Sequence, residues 1–77
     1  MTKKEIAEAI TQVALDVTGA ELNDVETLKA CGLDSLSLVA VIAELEEKFG
    51  FSFTESELDP ENLQMLADLV RITENHV

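Results

Sequence analysis

The chain has no tryptophan and no tyrosine, and phenylalanine occurs only three times. Its core must therefore be built mainly from Leu, Ile, Val and Ala. A single cysteine excludes an internal disulfide and fits a reducing compartment. No apolar run approaches the length of a membrane-spanning helix, and no continuous apolar stretch follows the lysines near the N-terminus. These absences predict a cytoplasmic protein with no membrane segment and no signal peptide.

Basic residues are also scarce: the chain has five lysines and arginines against 16 aspartates and glutamates, for a formal net charge of −11. Such a chain repels the phosphates of nucleic acids and the head groups of anionic lipids, so neither is an expected partner. The charge favours a partner with a basic surface, although acidity that serves only solubility explains it equally well. A length of 77 residues predicts one small domain, residues 1–77, with a single modest core.

Apolar residues recur at helical spacing in three segments. Helices are predicted over Lys3–Val17, Ser35–Phe49 and Glu61–Thr73. Residues 54–63 predict a short helical turn before the last helix, and residues 18–33 have no sustained period and predict a long loop. The predicted fold class is all-α: a small antiparallel four-helix bundle of three main helices plus one short helix, with the long loop between helices 1 and 2.

The apolar members of these segments are the residues expected to face the core. They are Ile6, Ile10, Val13 and Val17 in the first helix, Leu22, Val25, Leu28 and Leu33 in the loop, Val39, Ile42, Leu45 and Phe49 in the second helix, and Leu63, Leu66, Leu69 and Val70 in the last. Phe51 and Phe53 are expected to fill the core from an extended connector.

Ser35 stands where the long loop turns into the second helix, with Asp34 placed to cap that helix. A serine nucleophile needs a base and a group that orients the base. The only histidine, His76, lies next to the C-terminus, where fraying is expected, so serine hydrolysis is not supported. No metal is predicted, because the chain has no Cys/His cluster and no calcium-loop pattern. A helix start does suit a serine that bears a phosphodiester, although that feature alone fits an ordinary helix-start serine better.

The segment CGLDSLSLVAVIAELEEKFGFSF, residues 31–53, resembles the acyl carrier protein family, including the related peptidyl carriers. Residues 32–36 match the family's motif of Gly, a variable residue and Asp-Ser-Leu in order. Equivalent positions of the family's second helix are held by Val39, Glu46, Glu47 and Phe49. Helix order, size and acidity extend the resemblance over nearly the whole chain.

The resemblance implies a carrier rather than an enzyme. A phosphopantetheinyl transferase would esterify Ser35 with 4′-phosphopantetheine from coenzyme A. The thiol of that arm would hold acyl or aminoacyl groups as thioesters for a loading enzyme and for downstream acyltransferases and synthases. The second helix of this monomer would be the surface that partners recognise. Its expected recognition residues are Asp34, Leu36, Val41, Glu44, Glu46 and Glu47.

Two positions depart from the carriers of fatty acid synthesis. Ala40 stands where they usually have a glutamate, and Ser37 stands where an acidic residue is common. Residues 58–70 are similar to free-standing carriers of specialised pathways. These features favour a stand-alone carrier of a polyketide, nonribosomal peptide or aminoacyl-carrier pathway over a general fatty acid carrier. Two other classes stay open: an unloaded carrier-like adaptor that binds a basic partner, and an unrelated small helical interaction domain.

Overall fold

The computed structural model describes residues 1–77 and contains three helices and no strand. Helix α1 spans Lys3–Thr18, α2 spans Ser35–Phe49 and α3 spans Leu66–His76. The predicted all-α class is therefore confirmed. None of the three helices combines the length and the apolar character that a bilayer crossing requires.

The ends of α1 and α2 follow from local sequence. Thr2 and Glu5 form a capping box at the start of α1, in which each side chain accepts a hydrogen bond from the other's backbone N–H at 3.0–3.1 Å. Gly19 ends α1 with a φ of 78°, and Gly50 ends α2 with a φ of 73°. This left-handed backbone costs glycine little because it has no Cβ. The predicted bounds of α2 are confirmed, and α1 is one residue longer than predicted.

Helix α3 begins at Leu66, later than the predicted start at Glu61. The carbonyl of Gln64 accepts a hydrogen bond of 2.8 Å from the N–H of Leu28, so the backbone just before α3 pairs with the long loop instead of continuing a helix. The N–H of Gln64 donates to the carboxylate of Asp68 at 2.9 Å, which caps the new start. A long-range backbone contact therefore decides where α3 begins.

The short helix predicted within residues 54–63 does not form. Residues 55–62 make turns, held by bonds such as that of the Leu58 N–H to the Thr54 carbonyl at 3.1 Å. The bundle thus has three helices and a turn-rich connector between α2 and α3.

Helix α1 packs against both α2 and α3, and the core forms where they meet. The buried apolar residues are Ile6, Ile10, Val13, Ala14, Ala20, Leu22, Leu28, Leu33, Val41, Ile42, Leu45, Phe53, Leu63, Leu66, Leu69, Val70 and Ile72. Three residues predicted to face the core are instead exposed: Val17, Val25 and Val39. Val39 has 64% of its surface exposed, whereas Val41, two residues further along α2, is fully buried.

Candidate functional site

The long loop turns into α2 through Gly32, whose φ is 106°. Residues other than glycine rarely adopt this backbone conformation, so a residue with a Cβ would be strained here. The strain would come from the backbone and not from crowding, because the atom nearest to such a Cβ, the Cβ of Ala20, lies 3.8 Å away. The next residue, Leu33, is buried and donates its N–H to the carbonyl of Leu28 at 2.9 Å. These contacts set the direction in which the chain reaches Ser35.

Asp34 caps α2, as its place in the sequence predicts. Its Oδ1 accepts a hydrogen bond of 2.8 Å from the N–H of Ser37, and its carbonyl accepts one of 2.8 Å from the N–H of Leu38. The hydrogen bond from the backbone N–H of Ser37 holds the pKa of the Asp34 carboxyl below its usual value. The residue before Ser35 is therefore an ionised, exposed carboxylate.

Replacing Asp34 separates its capping role from its charge. Asp34→Ala is expected to lower the free energy of unfolding by about 1 kcal/mol, because the N–H of Ser37 loses its acceptor. Asp34→Asn should stay close to wild type, because asparagine caps a helix as well as aspartate does. Urea unfolding followed by circular dichroism measures both. An equal loss in the two variants would show that the charge, not the cap, stabilises α2.

Ser35 is the first residue of α2, and its side chain is exposed and makes no hydrogen bond. The histidine is not arranged as its base. His76 was expected to fray, but it lies in the last turn of α3. Its Nε2 is 2.9 Å from the carboxylate oxygens of Glu57. Its ring also stacks on Phe51, with the centroids 4.5 Å apart. The imidazole is thus held by Glu57 and Phe51 and not by Ser35.

A groove of about 550 Å³ opens beside Ser35. It is lined by Thr27, Leu28, Lys29, Leu33, Asp34, Ser35, Leu38, Leu58, Pro60, Leu63 and Gln64. Leu28, Leu33 and Leu63 belong to the buried core and form its apolar floor, whereas Lys29 and Gln64 are exposed. The sequence did not reveal this groove, because its far wall comes from residues 58–64, which only the tertiary fold brings to the start of α2.

Three of the predicted recognition residues lie on the exposed surface of α2. Leu36 has 84% of its surface exposed, and Glu44 and Glu47 are exposed as well. A rise of 1.5 Å per residue places Glu44 about 14 Å along the helix from Ser35. The nearer part of the exposed face, at Leu36, Val39 and Ala40, is apolar.

The structure corrects the prediction for Val41. This residue is fully buried in the core, so its side chain cannot touch a partner while the domain is folded. Glu46 is half-buried, and its Oε2 accepts a hydrogen bond of 2.7 Å from the N–H of Phe53. Glu46 therefore holds the connector that follows α2, a structural role that the sequence did not indicate.

Comparison with known proteins identifies the class. Residues 7–70 match the family described as "Phosphopantetheine attachment site". An acyl carrier protein of Acidothermus cellulolyticus is 32% identical over 74 residues, which cover 91% of this chain and 86% of that protein. No solved structure matches the chain significantly.

The family match defines a carrier protein with a domain to which 4′-phosphopantetheine is attached. The chain belongs to the acyl carrier protein family, whose members are carriers and not enzymes. The resemblance found in the sequence is thus confirmed. Such carriers interact with a phosphopantetheinyl transferase and with biosynthetic enzymes.

Proposed function

We propose that the chain is a cytoplasmic, stand-alone carrier in which Ser35 bears the 4′-phosphopantetheine arm. The thiol of the arm supplies the chemistry: it holds acyl or aminoacyl groups as thioesters. The observation that carries the proposal is the exposed, unbonded hydroxyl of Ser35 at the start of α2, directly after the capping carboxylate of Asp34.

The site fits the attachment reaction. The Ser35 oxygen forms a bond to the phosphorus that bears the pantetheine in coenzyme A, the pyrophosphate bond breaks, and adenosine 3′,5′-bisphosphate leaves. The hydroxyl proton passes to a base on the transferase, so the carrier needs no base of its own. The resulting phosphodiester is negative, and the free N–H groups and the dipole at the start of α2 favour negative charge there.

Intact-mass spectrometry tests this proposal. The folded protein is incubated with a permissive phosphopantetheinyl transferase, coenzyme A and Mg²⁺, and a gain of one phosphopantetheine per chain is expected. No gain with several transferases, on a sample with an intact circular dichroism spectrum, would favour the unloaded adaptor.

We further propose that the pathway is a specialised one and that the exposed face of α2 selects the partners. The support lies in the charge distribution of that face. Ser37 and Ala40 leave the two turns next to Ser35 without an acidic side chain, and the first carboxylates of α2 are at Glu44 and beyond. An enzyme of fatty acid synthesis whose basic patch binds carboxylates on this part of α2 meets an apolar surface here. It is therefore expected to associate more slowly with this carrier than with a fatty acid carrier.

Restoring the missing carboxylates provides the test. The holo form of Ser37→Glu/Ala40→Glu is expected to be loaded by a malonyltransferase of bacterial fatty acid synthesis about tenfold faster than the wild type at low salt, since opposite charges steer the encounter. The ratio should shrink as salt is raised, because the Debye length falls to about 8 Å at 0.15 M. Initial rates of malonyl transfer from malonyl-coenzyme A measure the effect.

The matched control is Ala67→Glu/Asn75→Glu, which adds the same charge to exposed positions of α3. Its loading rate should equal that of the wild type. If the control is accelerated as much as the α2 variant, net charge and not the face of α2 is responsible. If the wild type is already loaded as fast as a fatty acid carrier, the general fatty acid function replaces the specialised one.

A further inference from the structure

The groove beside Ser35 is lined by one basic side chain, that of Lys29 in the long loop. The chain has only five lysines and arginines against 16 aspartates and glutamates, and Lys29 is the one that reaches this groove. Its side chain is exposed, and it shares the groove lining with Asp34 and Ser35. The groove therefore brings a positive charge to the side of the proposed attachment site.

The backbone around Lys29 is held in a hydrogen-bonded turn that leads directly into α2. The carbonyl of Lys29 accepts a hydrogen bond of 3.0 Å from the N–H of Gly32, and the carbonyl of Thr27 accepts one of 3.0 Å from the N–H of Cys31. These bonds fix the part of the loop that carries Lys29 relative to the helix start that carries Ser35. The position of Lys29 at the groove is thus set by the fold and not by a freely moving loop.

The ammonium group of Lys29 has no acidic partner, although the chain is rich in carboxylates. Lys3 and Arg71 each form an ion pair with a carboxylate of α3, whereas Lys29 forms none. The carboxylate that lines the same groove is that of Asp34, and its Oδ1 accepts a hydrogen bond of 2.8 Å from the N–H of Ser37. The charge of Lys29 therefore remains available to another anion in the groove.

An arm on Ser35 would supply such an anion. Its phosphodiester would stand next to the ionised carboxylate of Asp34, in a chain whose formal net charge is already −11, and like charges repel. A cation in the same groove offsets this repulsion. Lysine binds phosphate through charge-assisted hydrogen bonds, and its flexible four-carbon stem lets the ammonium follow the oxygen atoms.

We propose that Lys29 pairs with the phosphodiester on Ser35 and thereby holds the first part of the arm on the groove side of α2. This role rests on the function proposed above, because Ser35 must bear the arm. Lys29 is a positioning residue: it takes no part in forming or breaking a bond. The competing interpretation is an exposed lysine that is only solvated, and it predicts no change at the phosphorus atom when Lys29 is replaced.

Phosphorus NMR of the holo protein tests the pairing, since the phosphodiester is the group that Lys29 contacts. Raising the salt concentration lowers the Debye length from about 30 Å at 0.01 M to about 3 Å at 1 M, which weakens an exposed ion pair. In the wild type, the phosphorus resonance is expected to shift and its transverse relaxation to slow as salt is added. Lys29→Gln should show, at low salt, the shift and relaxation that the wild type reaches only at high salt.

Two further variants separate the pairing from a general effect of charge. Lys29→Arg keeps the positive charge and should retain the salt dependence of the wild type. Lys48→Gln removes another exposed lysine without an ion pair, about 20 Å along α2 from Ser35, and should also behave as the wild type. Identical spectra of the wild type and Lys29→Gln would overturn the pairing. An equal change in Lys48→Gln would assign the effect to net charge and would overturn it as well.

Intact mass and circular dichroism, recorded on each sample before the NMR measurement, distinguish the two proposals. Lys29→Gln should remain folded and should gain one phosphopantetheine, because the pairing concerns the product and not the transferase step. If the wild type gains no arm, the function proposed for Ser35 fails and the role of Lys29 fails with it. If both proteins gain the arm and their phosphorus spectra agree at every salt concentration, only the role of Lys29 fails.

Discussion

Ser35→Ala is expected to abolish phosphopantetheine attachment completely while leaving the helical fold intact. The variant removes the only atom that the proposed reaction esterifies, so no slower route through the same position remains. The side chain makes no hydrogen bond and is exposed, so its loss should change the free energy of unfolding by no more than about 0.5 kcal/mol. Intact mass after incubation with transferase, coenzyme A and Mg²⁺ gives the result directly.

Ser37→Ala is the matched control, because its hydroxyl lies in the same first turn of α2. This variant should gain one phosphopantetheine, as the wild type does. If Ser35→Ala still gained the arm, attachment would have to occur at another hydroxyl and the proposed site would be wrong. If neither variant nor the wild type gained it, the adaptor class would become the better hypothesis.

Val41→Asp is expected to unfold the protein at neutral pH, whereas Val39→Asp should leave it folded. Val41 is fully buried, and an unpaired carboxylate in such a place costs several kcal/mol. The total stability of a 77-residue domain is of the same order, about 4–12 kcal/mol at 0.05–0.15 kcal/mol per residue. Val39 is 64% exposed, so an aspartate there stays in water and should cost about 0.5 kcal/mol or less.

Far-ultraviolet circular dichroism and urea titration of the two variants decide this prediction. The pair is matched in chemistry and differs only in which face of α2 receives the charge. A folded Val41→Asp protein together with an unfolded Val39→Asp protein would mean that α2 is rotated relative to the structure described above. It would also return Val41 to the surface that partners recognise.

The faces of α2 show how far a hydrophobic pattern leads. Apolar residues occupy both possible stripes of this helix, one through Val39 and one through Leu38 and Val41. Helical periodicity identified the helix and its bounds correctly but did not distinguish the stripes, since both have the right spacing. In the folded chain Val41 is buried together with Ile42 and Leu45 of the predicted stripe, and only Val39 of that stripe is left exposed, beside Ser35.

The prediction of where α3 starts was wrong for a related reason. Pro60 and the apolar residues after it have the local signature of a helix beginning at Glu61. The backbone at Gln64 is instead engaged by Leu28, which lies far away in the chain. The contact of His76 with Glu57 also joins residues that are far apart in the chain. Local sequence does not predict such a contact, and His76 was therefore expected to fray.

By itself the sequence determined the features that depend on neighbours three or four residues apart. These are the existence of the three helices, the ends of α1 and α2 at glycines, the cap of α2 by Asp34, and the motif that places the chain among acyl carrier proteins. The tertiary structure alone decided that Val41 and not Val39 of α2 is buried, where α3 begins, and which residues wall the groove beside Ser35. The reason is physical: helix hydrogen bonds and caps are local, whereas burial and backbone pairing between distant segments depend on how the whole chain packs.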